Sequence, residues 1–148
     1  MSHLSFTYAR GAAFCLLIGL SPLIVGCSDG RPERVPVSGV VKIDGVPLTQ
    51  GSITFLPTKG RVSFGQLDDQ GRFELMTYEP GDGAPLGMSK VAVAGRESLS
   101  ETQARWLAPK KYSEHATSEL EVDITGPTDD LVIDLTWDGG KPFIETDK

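Results

Sequence analysis

Most of the chain consists of short stretches in which apolar and polar residues alternate. Val37, Gly39, Val41 and Ile43 share one parity, and this period of two predicts a strand with one buried face. Similar runs lie at 53–55, 62–67, 73–75, 91–93, 120–124 and 131–137, and turn residues such as Asp44-Gly45 and Gly126-Pro127 separate them. Seven short alternating segments predict an all-β fold, a seven-stranded antiparallel β-sandwich that occupies residues 36–137.

Two segments depart from the alternation. Ser100 and Gln103 have the spacing of a capping box, and Pro109 would end a helix, so one or two helical turns are predicted within 101–107. Residues 138–148 are polar and are predicted to form a frayed C-terminal tail.

The amino terminus has the order of an export signal. Arg10 precedes an apolar run at 12–20, and Ile24-Val25-Gly26-Cys27 follows it. A small residue and a cysteine at the cleavage position are typical of a lipoprotein signal peptide, in which the thiol takes a diacylglycerol and the new amino terminus is acylated, for example with palmitate. We therefore predict a signal peptide at 1–26, lipidation at Cys27 and a lipidated tether at 27–35.

Two other interpretations of this segment fit less well. A transmembrane helix needs about 20 apolar residues, whereas the run at 11–26 is shorter and is broken by Ser21-Pro22. A buried helix of a small domain would carry one polar face, whereas residues 12–20 are apolar all round. The expected location is the bacterial cell envelope, lipid-anchored and facing the periplasm or the surface.

Charge and cysteine content restrict the partners. Removal of residues 1–26 takes away Arg10 but no acidic residue, so the 122 remaining residues keep 13 of the 14 basic and all 20 acidic residues, a net charge of −7. A basic face is what nucleic acid and anionic lipid require, so the overall charge disfavours both. Cys15 leaves with the signal and Cys27 carries lipid, which leaves no cysteine pair for a disulfide.

Catalytic residues are scarce. His115 is the one histidine after the signal, it lies in a polar segment, and neither G-x-S-x-G nor H-E-x-x-H occurs. Gly81, Gly83 and Gly87 lie near Pro80 and Pro85 and lead into a predicted strand, unlike a phosphate-binding loop that opens a helix. The sequence indicates a protein that is not an enzyme and has no cofactor.

Acidic pairs are weak candidates for metal binding. Asp68-Asp69 and Asp129-Asp130 lie in predicted turns and supply oxygen ligands of the kind that calcium prefers. Adjacent aspartates in turns more often accept hydrogen bonds from nearby backbone amides, and no D-x-D-x-D spacing occurs. Asp68 and Asp69 are therefore kept only as weak calcium candidates.

A second candidate is a contact patch for a protein or a glycan. Trp106 and Tyr112 lie close to Lys110 and Lys111, and aromatic residues beside cations are common in contact surfaces. The alternative is that Trp106 packs its loop onto the sandwich.

The motifs also resemble a known family. Val37-Ser38-Gly39-Val40-Val41-Lys42-Ile43-Asp44-Gly45, Ile53-Thr54-Phe55 and Asp68-Asp69-Gln70-Gly71-Arg72-Phe73 resemble the carboxypeptidase regulatory-like, or transthyretin-like, domain. Gly81-Asp82-Gly83-Ala84-Pro85 and Lys111-Tyr112-Ser113 look like those of small bacterial lipoproteins that consist of one such domain. This resemblance implies a prealbumin-like (Ig-like) sandwich in the envelope, mostly without assigned activity.

Two function classes follow as expectations. The first is a membrane-anchored, non-catalytic binding or structural module with a protein or glycan partner. The second is an envelope domain that binds calcium or a small ligand such as a carbohydrate. If successive strands reverse direction, the connections 44–51, 68–71 and 96–118 should lie at one end of the sandwich, and those at 58–60, 77–87 and 125–130 at the other.

Overall fold

The computed structural model describes residues 30–146. The predicted signal peptide and Cys27 lie outside the described residues. The strands are β1 (Arg34–Val35), β2 (Val37–Ile43), β3 (Val46–Pro47), β4 (Ser52–Pro57), β5 (Ser63–Gln66), β6 (Arg72–Glu74), β7 (Ala84–Pro85), β8 (Gly87–Ala94), β9 (Arg96–Ser98), β10 (Gln103–Trp106), β11 (Leu120–Ile124), β12 (Thr128–Leu135) and β13 (Phe143–Thr146). The helical element of this range is a 3₁₀ helix at Lys110–Ser113, and no helix in residues 30–146 is long and apolar enough to cross a membrane.

Two four-stranded sheets form a sandwich-like arrangement. One has the order β11-β8-β4-β5, and the other has β12-β2-β3 with β6 also paired to β2. Their inward residues build one core; Val41, Ile133 and Phe73 contribute from one sheet, and Phe55 and Val93 from the other. The all-β prediction is confirmed, because alternation along β2 gives a strict buried and half-buried pattern.

One strand pair corrects the prediction of a purely antiparallel sandwich. β12 runs parallel to β2, with Ile133 opposite Val41 and Leu135 opposite Ile43. Strands that reverse direction at each of six connections leave the first and the seventh pointing the same way, so these two can pair only in parallel. The overall alternation therefore holds, although the pairing is mixed.

The connections meet as the alternation predicts. The Asp44-Gly45 turn closes the β2–β3 hairpin, with φ of 48° at Asp44 and 80° at Gly45, as a two-residue hairpin turn requires. A Cβ atom on Gly95 would lie 2.9 Å from the Cβ of Ala108 and 3.1 Å from Leu48 Cδ2. The connections at 44–51 and 95–119 thus pack together. We call this end of the sandwich the far end, and it comprises residues 44–51, 67–71, 95–119 and 136–146.

The prediction of helical turns at 101–107 is wrong. Gln103–Trp106 forms β10, which pairs with β9 on one side and β13 on the other. Ala104 and Trp106 are buried while Gln103 and Arg105 are exposed, which is a period of two. The Ser100 hydroxyl does accept a bond from the Thr102 amide at 3.3 Å, but it stabilises the turn of a β-hairpin.

Both predicted flanking segments also contain strands. Residues 143–146 form β13 against β10, so the prediction of a frayed tail is wrong for this part. Arg34–Val35 pairs with Ala84–Pro85 as β1 and β7, so the predicted tether at 27–35 ends by residue 33. In both places a polar segment becomes a strand because it pairs with a backbone segment that is distant in the sequence.

Candidate functional site

A groove lies on the outer face of the β12-β2-β3 sheet. Its volume is about 720 Å³. It is lined by Gly39, Val40, Lys42, Val46, Pro47, Thr49, Asp69, Gln70, Arg72, Asp129 and Asp130. Three carboxylates and two cationic side chains therefore share one groove with several small apolar surfaces.

An irregularity in β12 brings two of these carboxylates to the groove. The register of β12 against β2 shifts between Thr128 and Leu131, and Asp129 and Asp130 are both exposed. A regular strand would turn one of two successive residues inward, whereas an extra residue in a bulge changes this alternation. The Thr128 hydroxyl lies 2.9 Å from Asp130 Oδ1 and donates to it.

Gly39 makes this close approach of β12 feasible. A Cβ atom at residue 39 would lie 2.0 Å from the carbonyl oxygen of Leu131, a distance that no side chain tolerates. The glycine in β2 thus allows the bulged strand to pass, and it positions the acidic pair.

The Asp68-Asp69 turn reaches the groove from another connection. Asp68 Oδ1 accepts hydrogen bonds from the amides of Gln70 and Arg72, both at 2.8 Å. The Asp68 carboxylate therefore stabilises the turn, which is the usual role of an aspartate there and the alternative to calcium binding. Asp69 lines the groove. Within residues 30–146 no group of three or more metal-ligating side chains has metal-binding geometry.

The groove corrects the predicted separation of the acidic pairs. The sequence interpretation puts Asp68-Asp69 and Asp129-Asp130 at opposite ends of the sandwich, with 129–130 in a turn. Instead Asp129 and Asp130 belong to β12, and they line the same groove as Asp69. The pattern of single residues could not show this, because the bulge depends on the pairing partner.

The predicted contact residues form two clusters of internal contacts. Trp106 Nε1 donates to Glu145 Oε2 at 2.8 Å, and Lys110 Nζ binds Glu145 Oε1 at 2.5 Å. The ring of Trp106 stacks on that of Phe143, with centroids 6.4 Å apart, and Lys110 Nζ lies 5.2 Å from the Trp106 centroid. The hydrogen bonds from Lys110 and Trp106 lower the pKa of Glu145.

Lys111 and Tyr112 form the second cluster. Tyr112 is buried, and its hydroxyl accepts a bond from the Thr136 amide at 3.3 Å. Lys111 Nζ lies 4.9 Å from the Tyr112 ring centroid and 3.7 Å from Asp138 Oδ2. Tyr112 and Asp138 raise the pKa of Lys111.

These contacts favour the packing alternative for Trp106. The two aromatic side chains are mostly buried, and each lysine has an intramolecular carboxylate within 4 Å. The partners Phe143 and Glu145 were missed because the tail was interpreted as frayed. Phe143-Ile144-Glu145-Thr146 contains three β-favouring residues in four, which is the signal that could have indicated a strand.

His115 also has an internal contact. Its Nε2 lies 3.1 Å from the hydroxyl of Thr54 on β4. The histidine therefore joins the segment after the 3₁₀ helix to the sheet.

Comparison of the chain with protein-family models, with curated proteins and with solved structures found no match. The fold and the groove together define an all-β, sandwich-like protein with a polar surface groove.

Proposed function

We propose that this chain is a lipid-anchored, non-catalytic binding or structural module of the bacterial cell envelope. The observation that carries the proposal is Ile24-Val25-Gly26-Cys27 behind an apolar run, followed by a first paired strand that begins at Arg34. Arg34 is seven positions after Cys27, which corresponds to at most about 25 Å of extended chain. A lipid on Cys27 would therefore hold the folded domain close to the membrane.

The finer fold is part of the proposal. The seven segments predicted from the alternation correspond to β2, β4, β5, β6, β8, β11 and β12, and we assign them to a seven-stranded prealbumin-like, or Ig-like, sandwich. On this assignment the chain is a member of the carboxypeptidase regulatory-like family. The tight turns at Gly45 and Gly71, both with positive φ, support the resemblance at the motifs that carry it.

Lipidation is tested by intact mass. Full-length protein recovered from the membrane fraction of a bacterial host should lack residues 1–26 and carry the mass of the acyl groups. Cys27→Ser should lose the added mass, and it should either release the protein from the membrane or stall it with residues 1–26 still attached. An unmodified Cys27 in membrane-bound protein would refute the anchor.

The groove favours a small polar ligand as the second candidate function. Lys42 and Arg72 supply hydrogen-bond donors, and Asp69, Asp129 and Asp130 supply acceptors in one groove, a combination that suits the hydroxyl groups of a carbohydrate. The same carboxylates are the ones that a calcium ion would use. Both ligands would stabilise the folded chain by mass action.

Melting experiments separate these ligands. A calcium-binding groove predicts a rise in Tm with calcium that EDTA reverses, and a carbohydrate-binding groove predicts a rise with an envelope oligosaccharide that EDTA leaves unchanged. Asp129→Asn with Asp130→Asn should abolish either shift, whereas Asp123→Asn on β11, outside the groove lining, is the matched control. If neither ligand shifts the Tm, the structural role remains as the proposed function.

A further inference from the structure

The end of the sandwich at which the described chain begins differs from the rest in composition. We call it the near end, and it comprises residues 30–34, 56–63, 76–90 and 125–130; the last segment lies here because Thr128 is opposite Val37 and donates its amide to Pro36 O at 3.1 Å. These segments contact each other: Leu86 donates its amide to Glu33 O at 3.4 Å, and Thr58 donates its amide to Met88 O at 3.3 Å. A Cβ on Gly60 would lie 3.3 Å from Pro32 and 3.7 Å from Pro85.

Arginine side chains surround one tyrosine ring at this end. The guanidinium carbons of Arg31, Arg34 and Arg61 lie 4.5, 4.7 and 5.6 Å from the centroid of Tyr78. Arg34 Nε also lies 3.1 Å from Asp82 Oδ2, an ion pair without hydrogen-bond geometry. Asp82 in turn accepts bonds from the amides of Thr77 at 2.7 Å and Tyr78 at 3.1 Å, so the cluster is fixed to the backbone.

Charge is distributed unevenly between this end and the remainder. The near end contains five basic and five acidic residues, so it has no net charge. The rest of residues 28–148 has the other eight basic and 15 acidic residues, a net charge of −7. The negative charge of the molecule therefore lies outside the near end, where three arginines gather at one ring.

Exposed apolar side chains accompany the arginines. Half of the ten large hydrophobic residues that are exposed in the described chain lie at the near end: Leu56, Val62, Met76, Leu86 and Met88. Leu56 and Met88 line one cavity with Lys90 and Glu121. Apolar side chains beside arginine and lysine are the composition of surfaces that lie in the bilayer interface.

We propose that the near end is a membrane-contact surface, on which Leu86, Met88 and Val62 enter the interface while Arg31 and Arg61 contact anionic lipid headgroups. The inference rests on the proposed lipid anchor. Arg31 is only four positions after Cys27, at most about 14 Å of chain, so an acylated Cys27 holds this end against the headgroups. The negative remainder is repelled from the same anionic surface, which orients the domain with its far end outward.

Labels at the two ends test the orientation. The acylated full-length chain carries one added cysteine, Leu86→Cys at the near end or Ile144→Cys at the far end, both at exposed positions, labelled with a polarity-sensitive fluorophore. In vesicles of phosphatidylethanolamine and phosphatidylglycerol, emission from position 86 should shift to shorter wavelength and be quenched by nitroxide lipids. Emission from position 144 should match that of the protein without vesicles.

Charge and apolar contact are tested separately on the Leu86→Cys background. Arg31→Gln with Arg61→Gln, or Val62→Asp with Met88→Asp, should reduce the quenching, whereas the far-end control Arg96→Gln with Arg105→Gln should not. In vesicles of phosphatidylcholine, only the arginine-dependent part of the quenching should disappear. Melting curves verify that each variant is folded.

The negative results distinguish a failure of the membrane-contact surface from a failure of the lipid anchor. Acylated protein that floats with the vesicles but shows equal, weak quenching at positions 86 and 144 would overturn the membrane-contact surface and leave the near end for a protein partner. Protein without acyl mass that stays in solution would instead refute the anchor.

Discussion

The two ends of the sandwich use the same kinds of residue in different ways. At the far end, Lys110 and Lys111 lie over aromatic rings and each has a carboxylate within 4 Å, Glu145 or Asp138. At the near end, three arginines share the ring of Tyr78, and the same end carries five exposed apolar side chains. Cations beside aromatic residues therefore do not by themselves indicate a contact surface.

The cations at the two ends have different neighbours. Glu145 lies on β13, which pairs with β10, so a carboxylate of the chain itself neutralises Lys110 at the far end. At the near end, three arginines share one aromatic ring, and Asp82 pairs with Arg34. Four measurements test whether the two ends differ in this way.

The largest effect is expected for Trp106→Ala. Its side chain is 8% exposed, and truncation of a buried tryptophan costs about 3 to 5 kcal/mol of unfolding free energy. Urea denaturation measures the change. Ile144→Ala, on the neighbouring strand and 54% exposed, is the control and should cost less than about 1 kcal/mol; equal costs would mean that the far end is not a packed cluster.

Deletion of residues 139–148 should also destabilise the chain. It removes β13, with Phe143 and Glu145, and exposes the edge of β10, so a loss of about 2 kcal/mol is expected from denaturation curves. Deletion of residues 147–148 alone serves as the control. An unchanged midpoint for the longer deletion would restore the interpretation of a frayed tail.

The near end should be sensitive to acid through Asp82. Burial raises the pKa of this carboxyl, but the amides of Thr77, Tyr78 and Glu79 and the charge of Arg34 outweigh it, and the net pKa is lowered from its usual value of 3.8. A folded pKa below the unfolded one stabilises the fold above about pH 4, and this contribution is lost as the pH falls through the folded value.

Asp82→Asn should therefore lower stability at pH 7 by about 1 kcal/mol and flatten the decrease toward acid. Denaturation at several pH values between 2 and 7 measures both effects. Asp123→Asn is the control and should keep the acid-dependent decrease. A variant with the same pH dependence as the native chain would show that Asp82 does not carry it.

The smallest effect concerns Glu145. Lys110 and Trp106 hold its pKa below the usual range, so Lys110→Gln should raise that pKa toward its ordinary value. Titration of the side-chain carbonyl by NMR measures it. Lys111→Gln, whose amine pairs with Asp138, should leave the Glu145 pKa unchanged, and equal shifts in both variants would contradict the separate clusters.

Local pattern was sufficient for the strands that form the core. Seven of the described strands coincide with alternating runs, because burial of one face imposes a period of two on the sequence itself. The Asp44-Gly45 hairpin was predictable for a similarly local reason, since its positive φ values select the residue types.

Pairing between distant segments was not predictable in this way. Residues 100–103 have a helix-capping spacing, but backbone partners at 96–98 and 143–146 make residues 103–106 a strand. The bulge in β12 depends on the absence of a side chain at Gly39, 92 positions earlier in the chain. When Gly39 is not taken into account, Asp129-Asp130 has the sequence pattern of an ordinary turn.

The all-β class and the principal strands were predictable from the amino-acid pattern, because each depends on neighbouring residues. Which charges meet depends on the folded chain. It brought Asp69 together with Asp129 and Asp130, Glu145 with Lys110, and three arginines with Tyr78. Electrostatic and aromatic contacts act over a few ångströms in space, whereas these residues are 17 to 61 positions apart in the chain, and strand pairing and the packing of the connections set the distance between them.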